Sequence, residues 1–448
     1  MSDLASYKAH YSALFRLGIP IIIGQMGMIV LDFADTAMIG QHSTMELAAA
    51  SFVTNVMNLL IVFCLGFSYG LLPIVGALYG KKKYAKVGVS LKNSLAANTL
   101  VALIITLVLL VFYLFIDKMG QPEELLPLIR IYFWSKLPTV LLLLLFSAFK
   151  QFSDSITDTR TGMWLLLSGN FLNILLNYLL IYGHWGCPEL GLLGAGIATT
   201  ISRLGMTLAF AAIFLFTRHY AVYRAGFHAG RLNLALFKRL NLLGWPIATQ
   251  TGLEAASFCL CAIMMGWLGA DALAAHQIVS TVSTLCFMVY MGMGAAIAVR
   301  VSNFNGQNDW GNLRRTSYAG CHIILLFALL MSLCIFLLRF HISGIFTESE
   351  EVSHLVVALV FPLLIYQFGD VIQITFSNVL RAIADVKAMM YIAFVAYFLI
   401  SFPLSYIFGF VLHWGAVGIW MGLPFGLSTA GLFYFLRFRY HLRRQHLA

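Results

Sequence analysis

The chain has 448 residues, of which 60% are hydrophobic and only 10% charged, and its formal net charge is +10. Soluble domains carry about a quarter charged residues, so this composition and a positive mean hydropathy exclude one and indicate a polytopic membrane protein. The positive balance is assigned to inner loops facing anionic membrane lipid and not to nucleic acid, which is not an expected partner.

About twelve apolar stretches follow one another, each near or above the ~20 residues that a helix needs to cross a hydrocarbon core about 30 Å thick. In chain order they cover 13–39, 47–79, 88–116, 125–150, 162–182, 192–217, 236–267, 272–304, 314–340, 352–380, 386–412 and 416–438. The first twelve residues are polar, and the first stretch is long and contains Asp32 and Asp35. That pattern differs from a cleavable signal peptide, so the chain is expected to stay intact.

The loops alternate in charge. One set is basic: Lys8 and Arg16, then Lys81, Lys82, Lys83, Lys86 and Lys92, the central Arg218 to Arg239, Arg314 with Arg315, and the tail from Arg437 to Arg444. The other set is bare or acidic, as in Gln41 to Glu46, Glu123 with Glu124, His184 to Glu189, and Glu348 to Glu351. Because cytoplasmic loops gather Lys and Arg, both termini are expected in the cytoplasm, with the chain a multi-pass protein of the inner or plasma membrane. A monomer is expected.

The sequence nearly repeats itself. A shift of 226 positions lays residues 14–80 over 240–306 without a gap, so that Leu14, Gly18, Pro20, Gly40, Gly66 and Gly80 fall on Leu240, Gly244, Pro246, Gly266, Gly292 and Gly306. Later landmarks recur with small shifts, Pro138 against Pro362 and Asp158 against Asp385. The expected fold is all-α, with twelve transmembrane helices in two six-helix lobes. An even number of crossings per half orients their pseudo-twofold axis along the membrane normal, an organisation common among secondary transporters. The lobes are read as 1–217 and 236–448, joined by a polar cytoplasmic linker at 218–235.

Charge near a helix centre costs about 2.5–3.5 kcal/mol on insertion scales, so four deep acids need a reason: Asp32, Asp35, Glu254 and Asp370. Asp32 and Asp35 are three apart and share a helix face; local capping is the alternative. Asn170, Asn173 and Asn177 form an amide stripe that either glues helices together or completes an oxygen-rich cage with Asp35 that suits a hard cation or a proton. Tyr366 and Asp370, four apart, stack on one face, where phenol and carboxylate can share a cation. Two basic groups, Lys136 and Arg203, also fall at membrane depth. They either pair with these acids or, for Lys136, snorkel to the interface.

Signatures of catalysis are poor, and no enzyme is expected. His42, His184, His276, His322, His341 and His413 are scattered without metal-ligand spacing, and His276 reads as a packing group. The seven cysteines lie mostly in apolar stretches and suggest neither disulfides nor a metal site. No phosphate-cradling loop is present, so no cofactor is expected and energy must come from an ion gradient.

In order along the chain, Asp35-Thr36-Ala37-Met38-Ile39-Gly40, Asn173 to Asn177, Gly196-Ile197-Ala198-Thr199, Gly244-Trp245-Pro246 leading to Glu254, Ala274-Ala275-His276-Gln277-Ile278, Tyr366-Gln367-Phe368-Gly369-Asp370, and Leu380-Arg381 ahead of Asp385 resemble the multidrug and toxic compound extrusion family. The resemblance spans nearly the whole chain and, with Glu254 and Asp370 both present, is to the branch typified by bacterial norfloxacin exporters. It implies a two-lobed exporter of small cationic, amphipathic organic compounds by sodium or proton antiport. It further implies that Glu254, Asp370 and Tyr366 bind the coupling cation in the carboxyl-terminal lobe, with sodium on Glu254 and Asp370 where sodium is the ion. Asp35, Asn173, Asn177 and Thr199 would form the amino-terminal site; Asp32, Arg203 and Lys136 are additional candidates. The alternative within the same superfamily is a flippase for lipid-linked oligosaccharide or peptidoglycan precursors, whose cavities should be basic.

Overall fold

The computed structural model describes residues 2–446, and every regular element among them is helical. Twelve helices are long and apolar enough to cross a membrane, so the all-α architecture read from the sequence is the one the chain adopts. They are α1 (Ser2–His42), α2 (Thr44–Gly80, interrupted at Tyr69 and Gly70), α3 (Tyr84–Leu114), α4 (Leu126–Ser155, interrupted at Leu137 and Pro138), α5 (Thr159–Tyr182), α6 (Leu192–Phe216), α7 (Leu234–Trp267), α8 (Ala270–Gln307), α9 (Trp310–Leu338), α10 (Glu350–Ala382), α11 (Val386–Val411) and α12 (Gly415–His446). Within α11 the hydrogen bonding is π-helical over Val395–Ser401 and again over Ile407–Val411.

The chain forms two compact units, one of residues 23–248 and the other of residues 1–22 with 249–448. In the first, Val53, Met57, Val101, Leu109, Phe133 and Leu144 belong to one apolar core drawn from α2, α3 and α4. In the second, α10 packs against both α8 and α12, on which Tyr290, Met293, Trp420 and Tyr434 are all buried. Glycine permits close approaches between helices. A Cβ on Gly70 of α2 would stand 2.9 Å from the backbone N and Cα of Gly244 in α7, and one on Gly292 of α8 would stand 2.9 Å from the backbone N and Cα of Ile22 in α1.

The internal repeat is visible in the backbone. Lys82 and Asn308, 226 positions apart, both turn left-handed after the second helix of their repeat, with φ of 57° and 58°. Thr157 and Ala384 do the same after the fourth, with φ of 71° and 65°. These conformations strain residues that bear a Cβ, so their recurrence marks shared backbone shape where side-chain identity has diverged. Surface chemistry repeats as well. Leu100, Leu103, Ile104, Leu107 and Val111 of α3 are exposed, and so are the residues 226 positions later, Leu326, Leu329, Leu330, Leu333 and Leu337 of α9. Continuous apolar stripes of this kind fit lipid and not water.

Asp158 and Asp385 follow the two left-handed turns; Asp158 ties down the segment after α6, and Asp385 ties down the end of α12. Asp158 caps α5 through the Thr161 amide and accepts a 2.5 Å hydrogen bond from the Tyr220 hydroxyl in the linker. Asp385 accepts from Arg437 Nε at 2.5 Å and lies 2.6 Å from His441 Nε2, both in the last turns of α12. Burial alone would raise the Asp385 carboxyl, but these hydrogen bonds from His441 and Arg437 hold it down to about 2. Because the folded value is depressed, the stabilisation is present above the ordinary carboxylate value near 4 and is lost as pH falls through about 2. Asp385→Asn is expected to speed trypsin cleavage at Arg437 and Arg439 severalfold while α1 to α11 stay protected. In the unaltered protein, pepsin cleavage of this end should rise only between about pH 4 and pH 2.

Candidate functional site

In the unit of residues 23–248, one carboxylate stands at the head of a chain of amides. Asp35, half-buried on α1, accepts a hydrogen bond at 2.5 Å from Asn177 Nδ2 of α5. Asn177 Nδ2 also donates to Asn173 Oδ1 at 3.0 Å, and Asn173 Nδ2 donates to Thr199 Oγ1 of α6 at 3.4 Å. The Thr199 hydroxyl in turn donates to the Ala195 carbonyl at 2.9 Å. The three- and four-residue spacing thus places Asn173 and Asn177 on one buried face of α5, turned toward both α1 and α6. Asn170 continues that face and sits against Gly27 of α1.

Asp32 lies on the same helix as Asp35 but is exposed, and its backbone carbonyl accepts from Thr36 Oγ1 at 2.8 Å. The two basic groups of this unit are half-buried. Lys136 Nζ points to Thr54 Oγ1 at 3.4 Å and stands 4.7 Å above the Tyr132 ring, a cation–π placement. Arg203 Nη1 donates to the Thr139 carbonyl at 3.5 Å. Both cations bear electrostatically on Asp32 and Asp35.

The other unit holds Glu254 on α7 and Asp370, Tyr366, Gln367 and Gln373 on α10. Asp370 is 1% exposed and neither carboxylate oxygen has a hydrogen-bond partner among the described residues. Both side-chain polar atoms of Gln367 and the Tyr290 hydroxyl of α8 share that condition. Glu254 is only partly buried and is braced: Gln250 Nε2 donates to its Oε2 at 3.0 Å, and Gln373 Nε2 donates to the same oxygen at 3.4 Å. Gln373 Nε2 also donates to the Tyr397 hydroxyl of α11 at 3.0 Å. Tyr366 packs edge-on against Phe258, one turn along α7 from Glu254, and its phenol interacts with the charges of both Asp370 and Glu254. Arg381, buried near the end of α10, interacts with Glu254 electrostatically.

Such an arrangement has a definite chemistry. A buried carboxylate without donors is costly until a cation reaches it, and the groups around it are carbonyl oxygens and phenols. Amide and carboxylate oxygens ligate hard cations, and ring faces hold organic ones. No group of three or more His, Cys, Asp or Glu side chains able to hold a metal occurs among the described residues, so any inorganic ion here would rely on amides and phenols for most of its contacts. His276, which the sequence marks as a packing group, accepts from Trp420 Nε1 at 3.2 Å in the interior.

Gln373, Tyr397 and Tyr290 were not singled out by sequence reasoning. Gln373 follows Asp370 by three, so a search for amides one turn from each deep acid would have found it. The two tyrosines carry no such signal, since buried tyrosine is ordinary packing material. For the first unit, Asn177→Leu removes the donor to Asp35 and leaves Asn173 Oδ1 without its 3.0 Å partner. Thermal unfolding in detergent should show a loss of about 2 kcal/mol, and pairing it with Asp35→Leu should cost measurably less than the two single losses added together.

Comparisons with known proteins follow this geometry. The MatE family model matches residues 20–179 and 246–407. The chain is 30% identical to "Probable multidrug resistance protein NorM" of Bradyrhizobium diazoefficiens, over 96% of this chain and 93% of that protein. It is 29% identical to "Multidrug resistance protein NorM" of Photobacterium profundum, over 97% and 96%. Among solved structures, the eukaryotic MATE transporter AtDTX14 superposes with a TM-score of 0.87 at 18% identity, covering 98% of this chain and 99% of that one. The Vibrio cholerae MATE transporter VcmN in its bent form superposes at 0.84 with 20% identity, covering 99% of each chain.

Proposed function

Since this chain belongs to the MatE family of membrane transporters, we propose that it exports cationic, amphipathic organic compounds in exchange for sodium ions or protons. The observation that carries this reading is Asp370, sealed at 1% exposure with neither oxygen partnered, beside a Glu254 that stays partly open. A negative charge in that setting has one recurring need, a cation. Coupling ion and organic cation therefore compete for the same carboxylates, and one leaves as the other arrives. Such mutual exclusion, linked to alternating exposure of the sites, is antiport.

Asp35 with Asn173, Asn177 and Thr199 forms the second station in this reading, and its amides supply both donors and acceptors to a carboxylate that changes charge. Phe and Met side chains provide an adaptable apolar wall for varied passengers. The basic loops support a reading with both termini in the cytoplasm of an inner or plasma membrane, and this reading needs only a monomer. A second reading, a flippase for diphosphate-linked lipid, draws on Lys136 and Arg203, yet both lie in electrostatic reach of Asp32 and Asp35. The two acids offset the positive field that a diphosphate would need.

Reconstituted vesicles with sodium and proton gradients imposed separately test the proposal. Efflux of a fluorescent organic cation should follow at least one gradient, and Glu254→Gln and Asp370→Asn should each abolish it while leaving the protein folded. Undiminished transport by both variants would reject the site. Asp35→Asn should slow release after a pH jump by at least about tenfold, the effect of roughly 1.4 kcal/mol.

A further inference from the structure

We infer that Gln250 and Gln373 are positioning residues that fix the Glu254 carboxylate, and that Gln373 links its charge state to the π-helical turn of α11 through Tyr397. The inference rests on the proposed role of Glu254 as a cation-binding group. It starts from a convergence: two amide nitrogens, from α7 and α10, reach the same oxygen Oε2 at 3.0 Å and 3.4 Å. The other oxygen, Oε1, is outside the clamp and is the one left to meet a cation.

The amides have only one usable orientation. Turning either over would set its oxygen against a carboxylate oxygen, so Nε2 must face Glu254. The consequence is visible in the remaining atoms: Gln250 Oε1 and Gln373 Oε1 are buried with no hydrogen-bond partner among the described residues, on side chains that are each 1% exposed. An amide left half-satisfied in the interior is costly, and its retention on two helices beside the same acid marks the placement of Nε2 as the requirement.

Gln373 uses its second N–H on the Tyr397 hydroxyl at 3.0 Å. Tyr397 is 1% exposed and lies in the π-helical stretch Val395–Ser401. Such turns are rare and recur at functional sites, because their wider winding breaks the regular α ladder. Hydrogen bonds to an ionised carboxylate are about twice as strong as neutral ones. The clamp is therefore tight while Glu254 is bare and slackens when a proton or metal ion neutralises it. The slackening reaches α11 through the amide that Glu254 and Tyr397 share.

The test uses ethidium bound to the purified full-length protein and displaced by sodium chloride or by acid, whichever acts on the unaltered protein. Gln373→Leu should lower the cation concentration for half-displacement about tenfold, because the bare carboxylate loses a hydrogen bond to a charged group that neutralisation would have weakened anyway. Ethidium affinity in cation-free buffer should stay within about twofold, a split that general loosening of the fold would not produce. Tyr397→Phe, which keeps the ring, should shift displacement about threefold in the unaltered background and not at all on top of Gln373→Leu. A Tyr397→Phe effect that persists in full on the Gln373→Leu background would overturn the linkage, and so would silence of Tyr397→Phe alone. If Gln373→Leu fails to fold, Gln250→Leu replaces it with the same expected tenfold shift. Glu254→Gln separates the two layers: if it leaves displacement intact the cation-site reading fails, and if it abolishes displacement while the glutamine variants change nothing, only the present inference fails.

Discussion

Burying a carboxylate where no hydrogen-bond donor reaches it is the constraint on which the second unit depends. Asp370 is buried on α10, against which α8 and α12 pack; Tyr290 of α8 and, within one turn on α10 itself, Tyr366 and Gln367 are buried with it. A fold whose only task was stability would put an apolar side chain here, since a buried unpaired polar group costs about 1–3 kcal/mol or more when charged. Its retention is what the proposed cation-binding role explains. Asp35 represents a different solution, with its charge shared along three neutral side chains by direct hydrogen bonds.

The two solutions occupy one architecture without being copies of each other. Left-handed corners recur at Lys82 and Asn308 and at Thr157 and Ala384, and exposed leucine stripes recur on α3 and α9. Asp158 secures the segment after α6, and Asp385 secures the end of α12. The acids do not repeat, for Asp35 aligns with Cys261 and Glu254 with Met28. Shared backbone with divergent interior chemistry lets one unit give its carboxylate a hydrogen-bond donor while, among the described residues, the other leaves Asp370 without one.

Much of this was readable from residues alone, for identifiable reasons. Helix number follows from apolar runs long enough to cross lipid, and deep acids stand out because each contradicts its surroundings. The Asn173 and Asn177 pair was legible from spacing, since three- and four-residue intervals define a helix face. What lay hidden depends on tertiary geometry. Gln373 looks like any polar residue on a long helix until α7 brings Glu254 beside it, and Tyr397 looks like packing. The π turns of α11 leave no compositional trace, because a shift from i+4 to i+5 bonding is set by neighbouring helices. Lys136 also resisted reading, as its resting place over the Tyr132 ring requires a fold to be known.

The left-handed corners have a further bearing on how this gene can vary. They fix where the second and fourth helices of each repeat stop, so the number of residues between a corner and the acids sets the direction each acid faces. One added or deleted residue within α7 or α10 would swing everything beyond it by about 100°, carrying Glu254 or Asp370 away from its neighbours. Length changes should therefore be tolerated best in loops such as 119–125 and 346–349, between the membrane-spanning helices, while the interval from Asp370 to the Ala384 corner remains locked to the residue.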